Sequence, residues 1–167
     1  MGRRARMRAR SLQALPKVTP NTSIADAIKV RVARYYAAKM RMCFFELGLC
    51  SGGRLRADVL ALAMNGWIVI VEVKSSVADF RADKKMHLYE QWANQAYVAM
   101  PESVYLKVKE KILPDWGVFI MSEDGSVLKK VLGAKSYSIE EEDTRNILIR
   151  AAFRSADTNK TKNKQVT

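Results

Sequence analysis

The run WIVIVEVKS at residues 67–75 constrains this chain more than any other stretch. Its β-branched residues fit a pleated strand, and it is apolar at both parities until Glu72 and Lys74. A strand that is apolar on both faces must be covered on both. It therefore belongs at the centre of a sheet with helices on either side. The 167 residues suit one compact domain with tails.

Around this strand the pattern predicts a regular order of elements. Asn21, Thr22 and Ser23 offer N-caps to a helix running to about Met40, with Ile24, Ile28, Val32 (or Arg31) and Tyr35 at helical spacing and Arg31, Arg34, Lys39 and Arg41 on its other faces. Residues 42–49 and 54–63 read as strands joined through Ser51-Gly52-Gly53, and Asn65-Gly66 turns the second into 67–75. Ser76 with Asp79 opens a helix, and the stripe Met86, Tyr89, Trp92 (or Ala93), Ala96 continues it. Then come a strand at 96–100, a Lys-rich helix at 102–112, and a hairpin of 116–121 with 126–132 about Asp124-Gly125. A last helix is capped by Ser138 and Glu141 and runs to about Ala156. The order α-β-β-β-α-β-α-β-β-α predicts a mixed α/β (α+β) sandwich, a central mixed β-sheet flanked by helices, and no alternating doubly wound fold.

The net charge of +12 favours a polyanionic partner, nucleic acid before an anionic membrane surface. Residues 1–20 contribute +6 and residues 154–167 +3, so the ends supply most of the long-range attraction. The expected division is a flexible basic arm over 1–20, a domain over 21–156 and a flexible basic tail over 157–167. No apolar run is long enough to span a bilayer, so no membrane association is expected. Cys43 and Cys50 match no common zinc spacing and read as small buried hydrophobes. This predicts a reducing interior. The expected location is the cytoplasm of a bacterial or phage-infected cell.

Glu72 and Lys74 are two apart on one strand and so share a face. A charged pair on a central strand needs partners, and the preceding strand offers Asp58 beside Arg56. Turn parity decides whether they meet. A two-residue Asn65-Gly66 turn sets Asp58 opposite Val73. A three-residue Met64-Asn65-Gly66 loop with a left-handed Gly66 sets Asp58 opposite Glu72. Two converging carboxylates repel, and a divalent cation relieves them. All-oxygen ligation from Asp58, Glu72 and the Val73 carbonyl suits Mg²⁺ or Mn²⁺. Such a cation activates phosphodiesters toward water, with Lys74 shielding developing charge. Alternatively, Glu72–Lys74 is an ion pair at a strand end. Glu46 reads either as a third carboxylate of the cluster or as an edge-strand acid, and Asp26 as a solvent-facing helix acid. Asp79 and Asp83 read as N-terminal helix stabilisers. Arg81, Lys84 and Lys85 beside them suit phosphate contacts. His87 reads as a boundary residue, and Tyr89 and Trp92 as core.

The segment Glu46 to Met100 is similar to MmcB-type DNA repair proteins of the PD-(D/E)XK nuclease superfamily. The resemblance is carried by Glu46, by Gly53-Arg54-x-Arg56-Ala57-Asp58-Val59-x-Ala61-Leu62, by Ile70-Val71-Glu72-Val73-Lys74-Ser75-Ser76, and by Asp79-Phe80-Arg81-x-Asp83-x-Lys85. It covers residues 24 to about 132 and implies a restriction-endonuclease-like core. It implies Asp58, Glu72 and Lys74 as the active set, with Glu46 as a fourth member. Ala57 stands where the superfamily name expects proline, and Met86 where MmcB-type proteins usually carry an aromatic residue. The function this predicts is an Mg²⁺- or Mn²⁺-dependent deoxyribonuclease of repair or recombination. DNA would be held by Arg54, Arg56, Ser75, Arg81, Lys84 and Lys85. Its expected partners are DNA, other repair proteins and a second copy of the chain. The alternatives are a non-catalytic DNA-binding repair accessory protein and an RNA-binding basic protein.

Overall fold

The computed structural model describes residues 15–164, so the expected basic arm up to residue 14 and the last three residues of the expected tail lie outside the described residues. Six strands form one sheet in sequence order: β1 (Met42–Gly48), β2 (Arg56–Leu62), β3 (Ile68–Val73), β4 (Gln95–Pro101), β5 (Gly117–Met121) and β6 (Leu128–Leu132). The first three are antiparallel, β3–β4 and β4–β5 are parallel, and β5–β6 is an antiparallel hairpin. Every residue of β3 is buried, as its two-faced apolar pattern requires.

The sheet separates two apolar layers. On one face α1 (Ile24–Ala37) lays Ile28, Val32, Ala33 and Tyr36 against Val59, Val71, Tyr97 and Phe119. Ser23 caps α1 by accepting the Asp26 amide at 3.1 Å. On the other face lie α2 (Val77–Ala82), the 3₁₀ turns Met86–Trp92, α3 (Glu102–Val108) and α4 (Glu141–Lys164). They cover Leu60, Ile70, Val98 and Val118 with Phe80, Tyr89, Val104 and Ile147. The architecture is a mixed α/β sandwich consistent with a restriction-endonuclease-like core. Among the described residues no helix is long and apolar enough to cross a membrane. Cys43 packs against the first layer and Cys50 against the second, both as free thiols, and burial pushes the Cys43 thiol up to about 12.

The local expectations need correcting at four places. The helix opened by Ser76 stops at Ala82, because Asp83 adopts extended backbone, and the Met86–Trp92 stripe enters the core as a 3₁₀ segment. The helix expected over 102–112 is α-helical only to Val108 and tightens to 3₁₀ over Lys109–Lys111. Ser138 does not cap α4, which starts at Glu141, since the preceding chain is drawn against the sheet. That helix runs past Ala156 to Lys164.

Asn94 does the drawing. Its Oδ1 accepts the Ile68 amide at 2.8 Å and its Nδ2 donates to the Tyr137 carbonyl at 2.9 Å, while its backbone exchanges bonds with the same two residues. Asn94→Ala would leave a buried donor and an acceptor unmet. It should cost about 2–4 kcal/mol in a urea melt, at roughly 1–3 kcal/mol for each orphaned group.

Candidate active site

The β2–β3 hairpin is the three-residue form. Ala63 N–H donates to the Trp67 carbonyl at 2.9 Å, Met64-Asn65-Gly66 is the loop, and Gly66 holds φ 83. The ladder pairs Leu62 with Ile68 and continues to Val59 with Val71. The next step of that register sets Asp58 opposite Glu72.

At this step the backbone ladder gives way to side chains. Asp58 N–H donates to Glu72 Oε1 at 3.1 Å, and Val73 N–H donates to Asp58 Oδ2 at 2.8 Å. Each carboxylate is thus anchored through one oxygen by a main-chain amide. The other oxygens face lysines: Asp58 Oδ1 lies 3.5 Å from Lys29 Nζ, and Glu72 Oε2 lies 3.9 Å from Lys74 Nζ. Lys74 is held in turn by Asp83 Oδ2 at 2.5 Å, and Asp83 also accepts the Lys85 amide at 2.6 Å. Asp83 is therefore no helix stabiliser, because the chain turns at it and aims its carboxylate at Lys74. Asp79 does serve the start of α2, accepting the Ser75 amide at 2.9 Å while its own amide is capped by Ser76. The Tyr89 hydroxyl donates to the Arg56 carbonyl at 3.1 Å and lies against Glu72.

Burial sets the electrostatics. Glu72 is only 4% exposed and Lys74 5%. Burial, then the neighbouring Asp58 charge, pushes the Glu72 carboxyl up to about 8. Burial also raises Asp58, and the Val73 amide and Lys29 offset this only in part. Burial works to lower Lys74, but its hydrogen bond to Asp83 and the charges of Asp83 and Glu72 outweigh it and hold the ammonium above its ordinary value. Burial holds the two carboxylates above their usual range although each faces one lysine, so their charge is only partly offset. That deficit, with all-oxygen donors, fits a divalent cation of the Mg²⁺ or Mn²⁺ kind.

A raised carboxyl contributes stability that is present below its unfolded value and lost as pH climbs through the folded one. Glu72 thus weakens the metal-free fold progressively between pH 4.5 and about 8. In EDTA, Glu72→Gln should melt higher than wild type at pH 8, by on the order of 1–3 kcal/mol. The gap should close toward pH 4.5. Variants that melt together across this range would contradict a buried Glu72 charge.

The other expected site residues divide. Glu46 is bound by Lys29 and by Arg56 Nε at 2.7 Å, and among the described residues no group of three His, Cys, Asp or Glu is placed to hold a metal. Arg54, Arg81, Lys84 and Lys85 are exposed, as is Arg56. The loop carrying Arg54 meets the segment after α2 where Lys85 Nζ reaches the Arg54 carbonyl at 3.5 Å. Ser75 bonds Asp79 through both its amide and its hydroxyl. Asp26 is exposed and bonded to Ser23. His87 is exposed, and Tyr89 is core and site at once.

Sequence reasoning missed Lys29. The charges expected on the other faces of α1 are Arg31, Arg34, Lys39 and Arg41, whereas Lys29 falls in the stripe Lys29, Ala33, Tyr36, whose apolar members are buried. A lysine inside a core-facing stripe was the available signal.

A family model described as DNA repair protein MmcB-like matches residues 16–164. No curated protein matches. Among solved structures, a protein of unknown function from Silicibacter pomeroyi has the same fold, with a TM-score of 0.72 and 25% identity over 83% of this chain and 90% of that one. The match spans nearly the whole described chain, including β2, β3 and every residue of the site: this chain belongs to the MmcB-like DNA repair protein family.

Proposed function

We propose that the chain is a metal-dependent deoxyribonuclease acting in DNA repair or recombination, with Asp58, Glu72 and Lys74 as its catalytic set. The observation that carries this reading is the cross-locked carboxylate pair. Asp58 and Glu72 are each fixed by a main-chain amide of the other strand and are buried with their charge only partly offset by Lys29 and Lys74. A fold gains nothing in stability from such a pair, so its presence points to chemistry. Asp58, Glu72 and the Val73 carbonyl would hold a magnesium or manganese ion. When bound, such an ion polarises a phosphate and eases deprotonation of water.

The chain's own residues supply the rest. Lys74 would meet a non-bridging phosphate oxygen and offset the charge that grows there. Asp83 keeps its ammonium protonated and aimed. The Tyr89 hydroxyl, which donates to the Arg56 carbonyl, lies against Glu72. The site is most open at Asp58, whose side chain is 21% exposed. Arg56 is two residues from Asp58 on β2, and Arg54, Arg81, Lys84 and Lys85 are exposed, with Lys85 reaching the Arg54 carbonyl; these residues would grip flanking phosphates. Hydrolysis joins a water oxygen to phosphorus and breaks one P–O ester bond, with the water's proton ending on the leaving oxygen.

A second reading, a DNA-binding repair accessory protein without turnover, is favoured by one observation: Lys29 and Asp83 already satisfy Asp58 and Lys74 within the chain. End-labelled single-stranded, duplex and four-way-junction DNA, incubated with Mg²⁺ or Mn²⁺ and with EDTA, separates the two. Cleavage that EDTA abolishes is the expected result. DNA that is bound but intact in every lane selects the accessory reading.

A further inference from the structure

Lys29 projects from the face of α1 that carries Ala33 and Tyr36 into the core, one and two turns further on. Its ammonium hydrogen-bonds Glu46 and lies 3.5 Å from Asp58 Oδ1. Glu46 is brought there by its own backbone. It holds φ 52, a left-handed conformation uncommon for a residue with a side chain. The β1–β2 ladder steps from Phe45–Val59 to Leu47–Ala57 and skips the Glu46–Asp58 rung. The kink delivers the Glu46 carboxylate to Lys29 and Arg56. Such outliers persist where the surroundings over-determine them, and they cluster at functional sites.

The far side of the site repeats the pattern. Lys74 stands between Glu72 at 3.9 Å and Asp83 at 2.5 Å, as Lys29 stands between Asp58 and Glu46. Each central carboxylate therefore has one lysine and one outer acid of its own. The space between Glu46 and Asp58 is where a second divalent ion would have to sit, and an ammonium fills it.

We infer, resting on the metal-dependent reading above, that Lys29 is the fixed cation of the Glu46–Asp58 side and limits the site to a single divalent ion. Glu46 is then a positioning residue for Lys29 rather than a metal ligand. Removing the ammonium leaves Glu46 Oε1 and the outer Asp58 oxygen facing each other with no cation between them, while Arg56 keeps the other Glu46 oxygen; the gap is an oxygen-lined site for another ion.

Calorimetric titration of the full chain with Mn²⁺ tests this without reference to activity. Wild type and Lys29→Arg should each bind one ion, and Lys29→Met two. Circular dichroism checks the fold, and Lys29→Gln replaces the methionine variant if that one fails to fold. A second ion in wild type or in Lys29→Arg, or a single ion in the uncharged variant, overturns the inference and leaves the metal-dependent reading standing. No Mn²⁺ bound by any of the proteins removes both.

Discussion

Asp58→Asn should reduce metal-dependent DNA cleavage at least about a thousandfold, close to 4 kcal/mol of barrier, while leaving the fold as stable as before or more so. The asparagine keeps the shape and can still accept the Val73 amide that now donates to Oδ2 at 2.8 Å. It removes the charge that the site holds against burial. A residue kept for stability loses stability when changed, whereas a residue kept for chemistry and held at a cost loses only activity. Asp124→Asn, at the exposed turn of the β5–β6 hairpin, is the matched control and should cleave like wild type. Single-turnover cleavage with parallel thermal melts checks both halves. A variant that loses activity and stability together would show that Asp58 serves the fold.

The second large effect is expected in the sheet, outside the catalytic set. Gly117 pairs with Tyr97 across β4 and β5, and the tyrosine ring lies over the glycine. A Cβ at 117 would fall 2.1 Å from Tyr97 Cε1 and 2.8 Å from the Ala134 amide nitrogen. The ring cannot yield easily, because Tyr97 is 2% exposed and stacks on Phe119 with centroids 5.1 Å apart. The backbone on the other side cannot yield either. Gly117→Ala should therefore cost about 3 kcal/mol or more and lower the melting midpoint by roughly 6–12 °C. Combined with Tyr97→Ala, its cost should fall sharply, since the two changes act on one contact. An alanine variant that melts with wild type would mean the ring can swing away.

These two positions differ in how far the sequence exposes them. β3 is legible from its own composition, whereas the sequence leaves two hairpins open, and the three-residue loop with a left-handed Gly66 is the one that pairs Asp58 with Glu72. Gly117 carries no such mark. It reads as an ordinary strand glycine, and only the register with β4 reveals the ring above it. The same holds at Asp83. Local pattern continues the helix through Asp83 and Lys84, yet a buried lysine nine residues earlier captures the carboxylate and ends it. Ser138 fails to cap α4 for a similar reason, since Asn94 ties down Tyr137 and delays the helix to Glu141. Lys29 was legible but unread, a single charge in an apolar stripe. What the sequence hides in each case is a long-range contact that overrides local preference.

The central claim is that Asp58 and Glu72 are held together for a divalent cation. The direct measurement is the thermal midpoint of wild type and Asp58→Asn as Mn²⁺ is titrated at pH 8. Binding to the folded state alone must stabilise it, by about 2.7 kcal/mol at a hundredfold excess over the dissociation constant. A midpoint that climbs with Mn²⁺ in wild type and stays flat in Asp58→Asn is the predicted result. A flat wild type, or an equal climb in both proteins, would contradict it.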